Sequence, residues 1–423
     1  MSDTRSRRAR HRPRHATTLR HGIVIPAVAS VVLAVLGFYG MQGVATVAFA
    51  SANANTADIS SLLGDSAEYI SAPVATDEAG EPVDVHAGED LNILVIGSDV
   101  RTSENAAIGG YFDGARGDTT IIVHVSADRS RLELVSIPRD TRVAISDCES
   151  FDGQYQRGWT AKFNVAFSNG YGFNNDPAEA AACVMRTLND LTGIDFDGQF
   201  VVADFAGFRD MVDALGGVPM CVPYDVYSRK AQLDLDAGAQ VLNGTDALAW
   251  ARARTGTNLG DGTDLMRIGR QQELIESMLR KALGTNVFTD MSVMTQFVKA
   301  ATNSFTMSEE FADVTYDFGI AYSLRNIDLN NVTMVTAPWA YAGDGSGDVV
   351  LTYEAEAVWE AIRNDTPLSA LTDASPSAEP TSETPTAVDT SDNEATMYLP
   401  IPPESSYIPD TERETEEEIL AAC

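Results

Sequence analysis

Hydrophobic and polar positions change rhythm several times along the chain. The run Leu91-Asn92-Ile93-Leu94-Val95-Ile96, closed by Gly97, predicts a strand covered on both faces. Thr119–Val125 and Arg131–Ile137 flank Ala127-Asp128-Arg129-Ser130, a pattern that predicts a hairpin. Asp176-Pro177 supplies an N-cap and a first-turn proline, and Gly193 closes the helix they open. Phe205–Leu215 reads as a helix stopped by Gly216-Gly217, with a strand at Val218–Val222 after it. Asn243-Gly244-Thr245 opens a short helix through Arg252, and Thr263 or Asp264 caps a longer one to Leu283. Helices near 308–323 and 353–363 bracket an apolar strand, Val332–Thr336. Strands mixed with helices, one hairpin included, predict an α/β (α+β) fold with a mixed β-sheet sandwiched by helices.

Outside residues 91–365 these rhythms fail, and composition takes over. Residues 1–22 hold seven arginines and one acid, Asp3. The stretch Ile23–Met41 carries no charge; within a span of 23–45 it is long enough to cross a hydrocarbon core of roughly 30 Å. Basic residues before it and acidic ones after it predict a single-pass anchor with its N-terminus inside. Ala48-Phe49-Ala50 leaves a cleaved signal peptide as the competing reading. Residues 46–90 read as a linker and 366–423 as a disordered tail, with thirteen acids, one base and eight prolines in the tail. One domain, 91–365, is left to carry function.

The formal net charge of −32 excludes a phosphate-driven nucleic-acid binder. Four cysteines exclude a disulfide scaffold, and five histidines make a His-rich metal site a poor reading. In this acidic chain, arginines gather where apolar elements end. Asp99 and Arg101 follow the first strand, Arg116 and Asp118 precede the second, and Arg139 and Asp140 follow the third. Arg252 and Arg254 end one helix; Asp264, Arg267 and Arg270 share one side of the next. Each pair alone reads as a surface ion pair. Together they point to a phosphate or pyrophosphate held by bidentate guanidiniums, with carboxylates suited to a hard cation such as Mg²⁺. No Walker loop, dinucleotide fingerprint or Ser/His/Asp constellation is present.

The motifs Leu94 to Arg101, Arg116-x-Asp118-Thr119, Ser136-Ile137-Pro138-Arg139-Asp140, Lys162-x-Asn164, Asp204-Phe205-x-Gly207-Phe208, Leu242-x-Gly244, Arg252-x-Arg254 and Asp264-x-x-Arg267-x-x-Arg270-Gln271-Gln272 resemble, in order, those of the LytR-CpsA-Psr family. The resemblance implies a phosphotransferase at the outer face of the cell membrane, in single-pass type II topology. Such an enzyme takes a glycopolymer from a polyprenyl pyrophosphate carrier and attaches it to peptidoglycan; a pyrophosphatase side activity is implied as well. It implies Mg²⁺ (or Mn²⁺) on Asp99 and Asp118. It gives the pyrophosphate to Arg101, Arg116, Arg139, Lys162, Arg252, Arg254, Arg267 and Arg270, and leaves Asp264 as one candidate for proton removal. An apolar tunnel for the polyprenyl chain, using helices 177–192 and 205–215, is also implied. So is a Cys148–Cys183 disulfide. Cys221 faces Ala239 where many relatives have a second cysteine, so it is expected reduced and buried. A non-catalytic lipid-carrier or wall-polymer binder, or a transcriptional attenuator, are the alternatives.

Overall fold

The computed structural model describes residues 55–63, 84, 86–100, 105, 108, 114–260, 264–284, 305–309, 320, 323–324 and 327–373. Among these, seven strands form the central sheet: β1 (Asn55–Ala57), β2 (Leu91–Ser98), β3 (Gly117–Val125), β4 (Leu132–Ser136), β5 (Phe200–Ala203), β6 (Phe305–Ser308) and β7 (Val332–Thr336). Their order across the sheet is β1-β6-β5-β2-β3-β4-β7. β2, β3 and β4 run antiparallel in turn, while β5 lies parallel to β2 and β7 parallel to β4. The sheet is therefore mixed, as the alternating pattern predicts.

Side chains on the two faces alternate with the strand period. Leu94, Ile96, Ile122, Val135, Phe200 and Val202 point into one fully buried core. Helices α1 (Val165–Asn174) and α2 (Pro177–Thr192) cover that face; Asp176 caps α2 by accepting the Ala178 N–H at 2.8 Å, and Gly193 ends it at φ 68°. Ile93, Val95, Val123, Val332 and Met334 point to the opposite face, where they stay partly buried beside Ile275 and Leu279. Those two belong to α5 (Asp264–Gly284). A separate core joins α3 (Phe205–Ala214), α4 (Gly244–Arg252) and the ribbon of Val218–Val222 with Gly238–Leu242. α6 (Glu354–Arg363) returns to the first core through Trp359 and Ile362. The expected tunnel walls fit this only in part: α2 packs into the closed core, and the looser apolar face lies beneath α5.

Several boundaries differ from the sequence reading. Residues 55–63, inside the expected linker, supply edge strand β1 and the buried side chains Ile59 and Leu62. Asp84, also in that stretch, pairs with buried Arg129 at 2.7 Å. Residues 366–373 continue the fold, with Leu368 buried and a short helix at Ser369–Asp373. Both stretches are polar on average, and single apolar anchors in them were outweighed by composition. Phe305–Ser308 is a strand at the point where a helix was expected to begin.

The Cys148–Cys183 disulfide is formed. Cys221 corrects its expectation twice: it is disulfide-bonded and it is exposed, although it does lie opposite Ala239. Ribbon position decides its exposure, since alternate residues of Val218–Val222 face away from the core. The fourth cysteine, Cys423, lies outside the described residues, as do the 23–45 span and the tail from 374 onward. Among the described residues no helix is long and apolar enough to cross a membrane.

Candidate active site

The antiparallel register brings three strand ends to one edge: the end of β2, the start of β3 and the end of β4. A register shift at Gly97/Ser98 re-aims the chain as it leaves β2. Asp99 follows, buried, and accepts the Arg116 backbone N–H on Oδ1 at 2.6 Å. Asp118 is the second residue of β3. After β4, Pro138 turns the chain off the sheet, and Arg139 Nη1 donates to Asp118 Oδ1 at 2.5 Å. From α5, buried Arg267 donates through Nη2 to the Asp118 carbonyl at 2.7 Å, and its Nη1 lies 3.8 Å from Asp118 Oδ2.

Burial pushes the Asp118 carboxyl up. The guanidiniums of Arg267, Arg139 and Arg254 more than offset this and hold it below its usual range. One carboxylate is thus faced by three permanent cations. Arg252, the last residue of α4, lays its guanidinium over the Phe205 ring, 4.1 Å from the centroid. Gln271 ties the elements together: its Oε1 accepts from Thr119 Oγ1 at 3.1 Å, and its Nε2 donates to the Ala251 carbonyl at 3.0 Å.

A second tier of charges lies beside the first. Lys162 Nζ donates to Asp140 Oδ1 at 2.9 Å and lies 3.1 Å from Asp348 Oδ1. Arg142 pairs with Asp348 at 2.7 Å and Asp344 at 2.8 Å. The cross-strand register Arg142↔Lys162 places both cations at the same end of one ribbon. Asp344 and Asp348 are site neighbours that sequence reading missed. They lie some two hundred residues beyond Arg142, in a loop with no motif of its own, so spacing carries no signal of them.

Arg270 does not join the cluster. It is buried, with Nη1 donating to the Leu259 carbonyl at 2.9 Å and Nη2 to the Ala253 carbonyl, so it holds the loop after α4. Burial lowers its pKa. Its expected support of a phosphate is corrected to support of backbone. Arg101 lies outside the described residues; Asp264 begins α5, but its side chain is outside them too. Asn105, which sequence reading passed over, donates to Asp204 Oδ2 at 2.6 Å and accepts the Ala206 N–H at 2.9 Å, pinning its segment to the start of α3.

Among the described residues no three His, Cys, Asp or Glu side chains gather as a metal cage. Asp99 and Asp118 offer two carboxylates from adjacent strands at one edge. That donor set fits a hard cation that takes its other ligands from water and substrate phosphate.

Comparison with known proteins identifies the family. The sequence model of the LytR_cpsA_psr family matches residues 59–362. The chain is 30% identical over 274 residues to the cell wall biosynthesis protein LcpA of Corynebacterium glutamicum, covering 61% of this chain and 51% of that protein. It is 29% identical over 179 residues to TagV of Bacillus subtilis, named a polyisoprenyl-teichoic acid–peptidoglycan teichoic acid transferase, covering 41% of this chain and 40% of that one. The chain thus spans about half the length, or less, of these curated relatives. A crystal structure of a Streptococcus agalactiae protein superposes with a TM-score of 0.52 at 23% identity, covering 66% of this chain and 88% of that one, and shows the same fold. The family match takes in every strand end that carries the charge cluster, and the chain belongs to the LytR-CpsA-Psr family.

Proposed function

We propose that the chain is a phosphotransferase that moves a glycopolymer from a polyprenyl pyrophosphate carrier onto peptidoglycan. The observation that carries this reading is the convergence of guanidiniums from separate elements: Arg139, Arg267 and Arg254 all bear on the Asp118 carboxylate at the ends of three strands. Planar guanidiniums gathered from a strand end, a helix and the loop after α4 suit the bidentate grip of a pyrophosphate. Relatives named as polyisoprenyl-teichoic acid–peptidoglycan teichoic acid transferases support the substrate class.

In the reaction, an acceptor hydroxyl oxygen bonds to the phosphorus that carries the glycopolymer. The bond from that phosphorus to the bridging oxygen breaks, polyprenyl phosphate leaves, and the hydroxyl proton passes to a carboxylate of the site, Asp264 being one candidate. Arg139, Arg267 and Arg254 are placed to neutralise charge building on the leaving phosphate, with Arg116 and Arg252 at the rim. Asp99 and Asp118 would hold Mg²⁺ or Mn²⁺, which when bound would screen the phosphate oxygens. Lys162 is anchored by Asp140 and Asp348, so its role is to position that wall of the site and to add positive field. Partly buried Ile93, Val95, Val123 and Met334 offer an apolar surface for the polyprenyl chain. We further propose that 23–45 anchors the chain in the membrane with this domain outside; protease access on intact cells tests it.

The reading is tested with the full chain and a labelled polyprenyl-pyrophosphate-linked glycopolymer. Divalent-dependent release of polyprenyl phosphate, with label appearing on peptidoglycan, is the expected result. Tight binding of donor without release under any metal would leave a carrier-binding protein instead.

A further inference from the structure

A hairpin runs from the site along α2 and carries three large exposed rings between its base and its tip. Its base is the ribbon Arg142–Ala144 with Thr160–Lys162, where Lys162 belongs to the charge cluster. It continues through Cys148–Glu149 paired with Tyr155–Gln156. At about 3.3 Å per residue, the tip stands at most roughly 23 Å from the base. Phe151, Tyr155 and Trp159 are 46%, 61% and 45% exposed, three large rings within nine residues. A lone exposed ring needs no explanation, but a cluster of three on one projecting element does.

Flexibility does not account for their exposure, because the hairpin is braced along its length. The Cys148–Cys183 disulfide ties it to α2. Glu179 of α2, 1% exposed, accepts the Phe151 backbone N–H and Asn174 Nδ2, each at 2.9 Å, and Asn174 in turn accepts from Gln154 Nε2 at 3.2 Å. Asp147 accepts the Tyr155 hydroxyl and, at 2.8 Å, the Gly158 N–H. Gly158 lets the strands close: a Cβ there would lie 2.0 Å from the Ile145 carbonyl oxygen. Tyr155 lies on the short strand Tyr155–Gln156, Trp159 just before the strand Thr160–Lys162, and Phe151 in the turn between the arms. Rings fixed in place before binding spare a partner the cost of ordering them.

The chemistry of this surface selects the partner. Flat rings interleaved with the amides of Gln154 and Gln156 suit the apolar faces and hydroxyl edges of sugar rings. Residues 145–160 carry Asp147, Glu149 and Asp152 against Arg157, so an anionic polymer is disfavoured where an uncharged one is not. The surface is also continuous, through Thr160 and Lys162, with the candidate active site. We propose that Phe151, Tyr155 and Trp159 form a stacking platform for an uncharged glycan chain, the acceptor polysaccharide, and lead it toward the arginine cluster. This rests on the transferase reading above.

The test uses the full chain with N-acetylglucosamine hexamer as the glycan probe and inorganic pyrophosphate as the probe of the arginine cluster. Glycan binding is followed by saturation-transfer NMR and calorimetry, pyrophosphate binding by calorimetry. Tyr155→Ala and Trp159→Ala are each expected to weaken the hexamer by about fivefold or more, with pyrophosphate affinity unchanged in both and the melting temperature unchanged in Trp159→Ala. Trp159→Phe, which keeps a ring, should retain most of the binding. Wild-type chain that ignores the hexamer, or a double alanine variant that binds it as well as wild type, would overturn the platform. Preference for an anionic polymer over the hexamer would overturn it as well. Loss of pyrophosphate binding in wild type would instead count against the transferase reading, leaving the two failures distinct.

Discussion

The two ends of the central sheet both carry buried charge, and they solve the problem differently. At the far end, away from Asp118, Arg129 donates to Asp84 and to the carbonyls of Glu89, Ser126 and His86. Beside it, His124 lies between Asn92 and Asp365, and Arg131 reaches Asp365 at 2.7 Å. The donors of Arg129 are met by oxygens of the chain itself. At the Asp118 end, three guanidiniums face one carboxylate. Burial is similar at both ends, so burial does not mark a site. Convergence of guanidiniums from separate elements on one carboxylate does, because that arrangement suits an incoming anion.

The sharpest way to break this comparison is to remove one arginine from each end. Arg129→Met leaves the Asp84 carboxylate and three carbonyls without their donor, and breaking a buried pair costs about 3–5 kcal/mol. Denaturant unfolding should show that loss, while turnover per folded molecule stays near wild type. Arg139→Ala should do the reverse: turnover falls about 10²–10³-fold, or about 2.7–4 kcal/mol of barrier, and the melting temperature moves by a few degrees at most. Arg139→Lys, which keeps charge but loses the planar fork, should also be badly impaired. If Arg139→Ala unfolds the chain and Arg129→Met silences it, the two ends have been assigned backwards.

A finer test removes the carboxylates instead. Without divalent metal, Asp118 is itself the counter-ion of its guanidiniums. Asp118→Asn should therefore tighten binding of inorganic pyrophosphate by about tenfold in metal-free buffer, on the scale of one charge-assisted contact, and should still abolish metal-dependent transfer. Asp84→Asn should gain no pyrophosphate binding, because the donors of Arg129 keep their three carbonyls. Calorimetry on both variants reads the difference directly.

These contrasts also show what was legible in the sequence. Convergence of Asp99, Arg116, Asp118 and Arg139 followed from one hairpin and strand direction, both written in local pattern. Arg270 was misread because helix spacing gives a shared side but not reach. Its long side chain turns to the loop at 253–259, whose carbonyls no periodicity reveals. Nothing in the local pattern around Arg142 points to Asp344 and Asp348, which clamp it from a distant loop. Edge strand β1 was hidden because Asn55-Thr56-Ala57 is polar, and its place in the sheet comes from pairing with β6. Local chemistry was readable; partners far away in the chain were not.

The smallest expected effect is the dependence on pH. In the folded chain, burial pushes both Asp84 and Asp118 up, while Arg129 at one end and Arg267 and Arg139 at the other pull harder; both carboxyls end below 3.8. A carboxyl whose folded pKa is depressed stabilises the fold fully above its unfolded value, and that contribution is lost as pH falls through the folded value. From pH 5 to 8 these two groups therefore leave the melting temperature flat, and their share of stability disappears only below about pH 4. Melting curves across that acid limb should be shallower in Asp84→Asn and in Asp118→Asn than in wild type. Saturating pyrophosphate separates the ends, since an anion beside Asp118 opposes its ionisation and raises its pKa toward the ordinary range. With pyrophosphate bound, the Asp118 share of the acid limb should move to higher pH and the Asp84 share should stay where it was. An acid limb that pyrophosphate leaves in place in wild type, or moves equally in wild type and Asp118→Asn, would mean that the anion does not sit against Asp118.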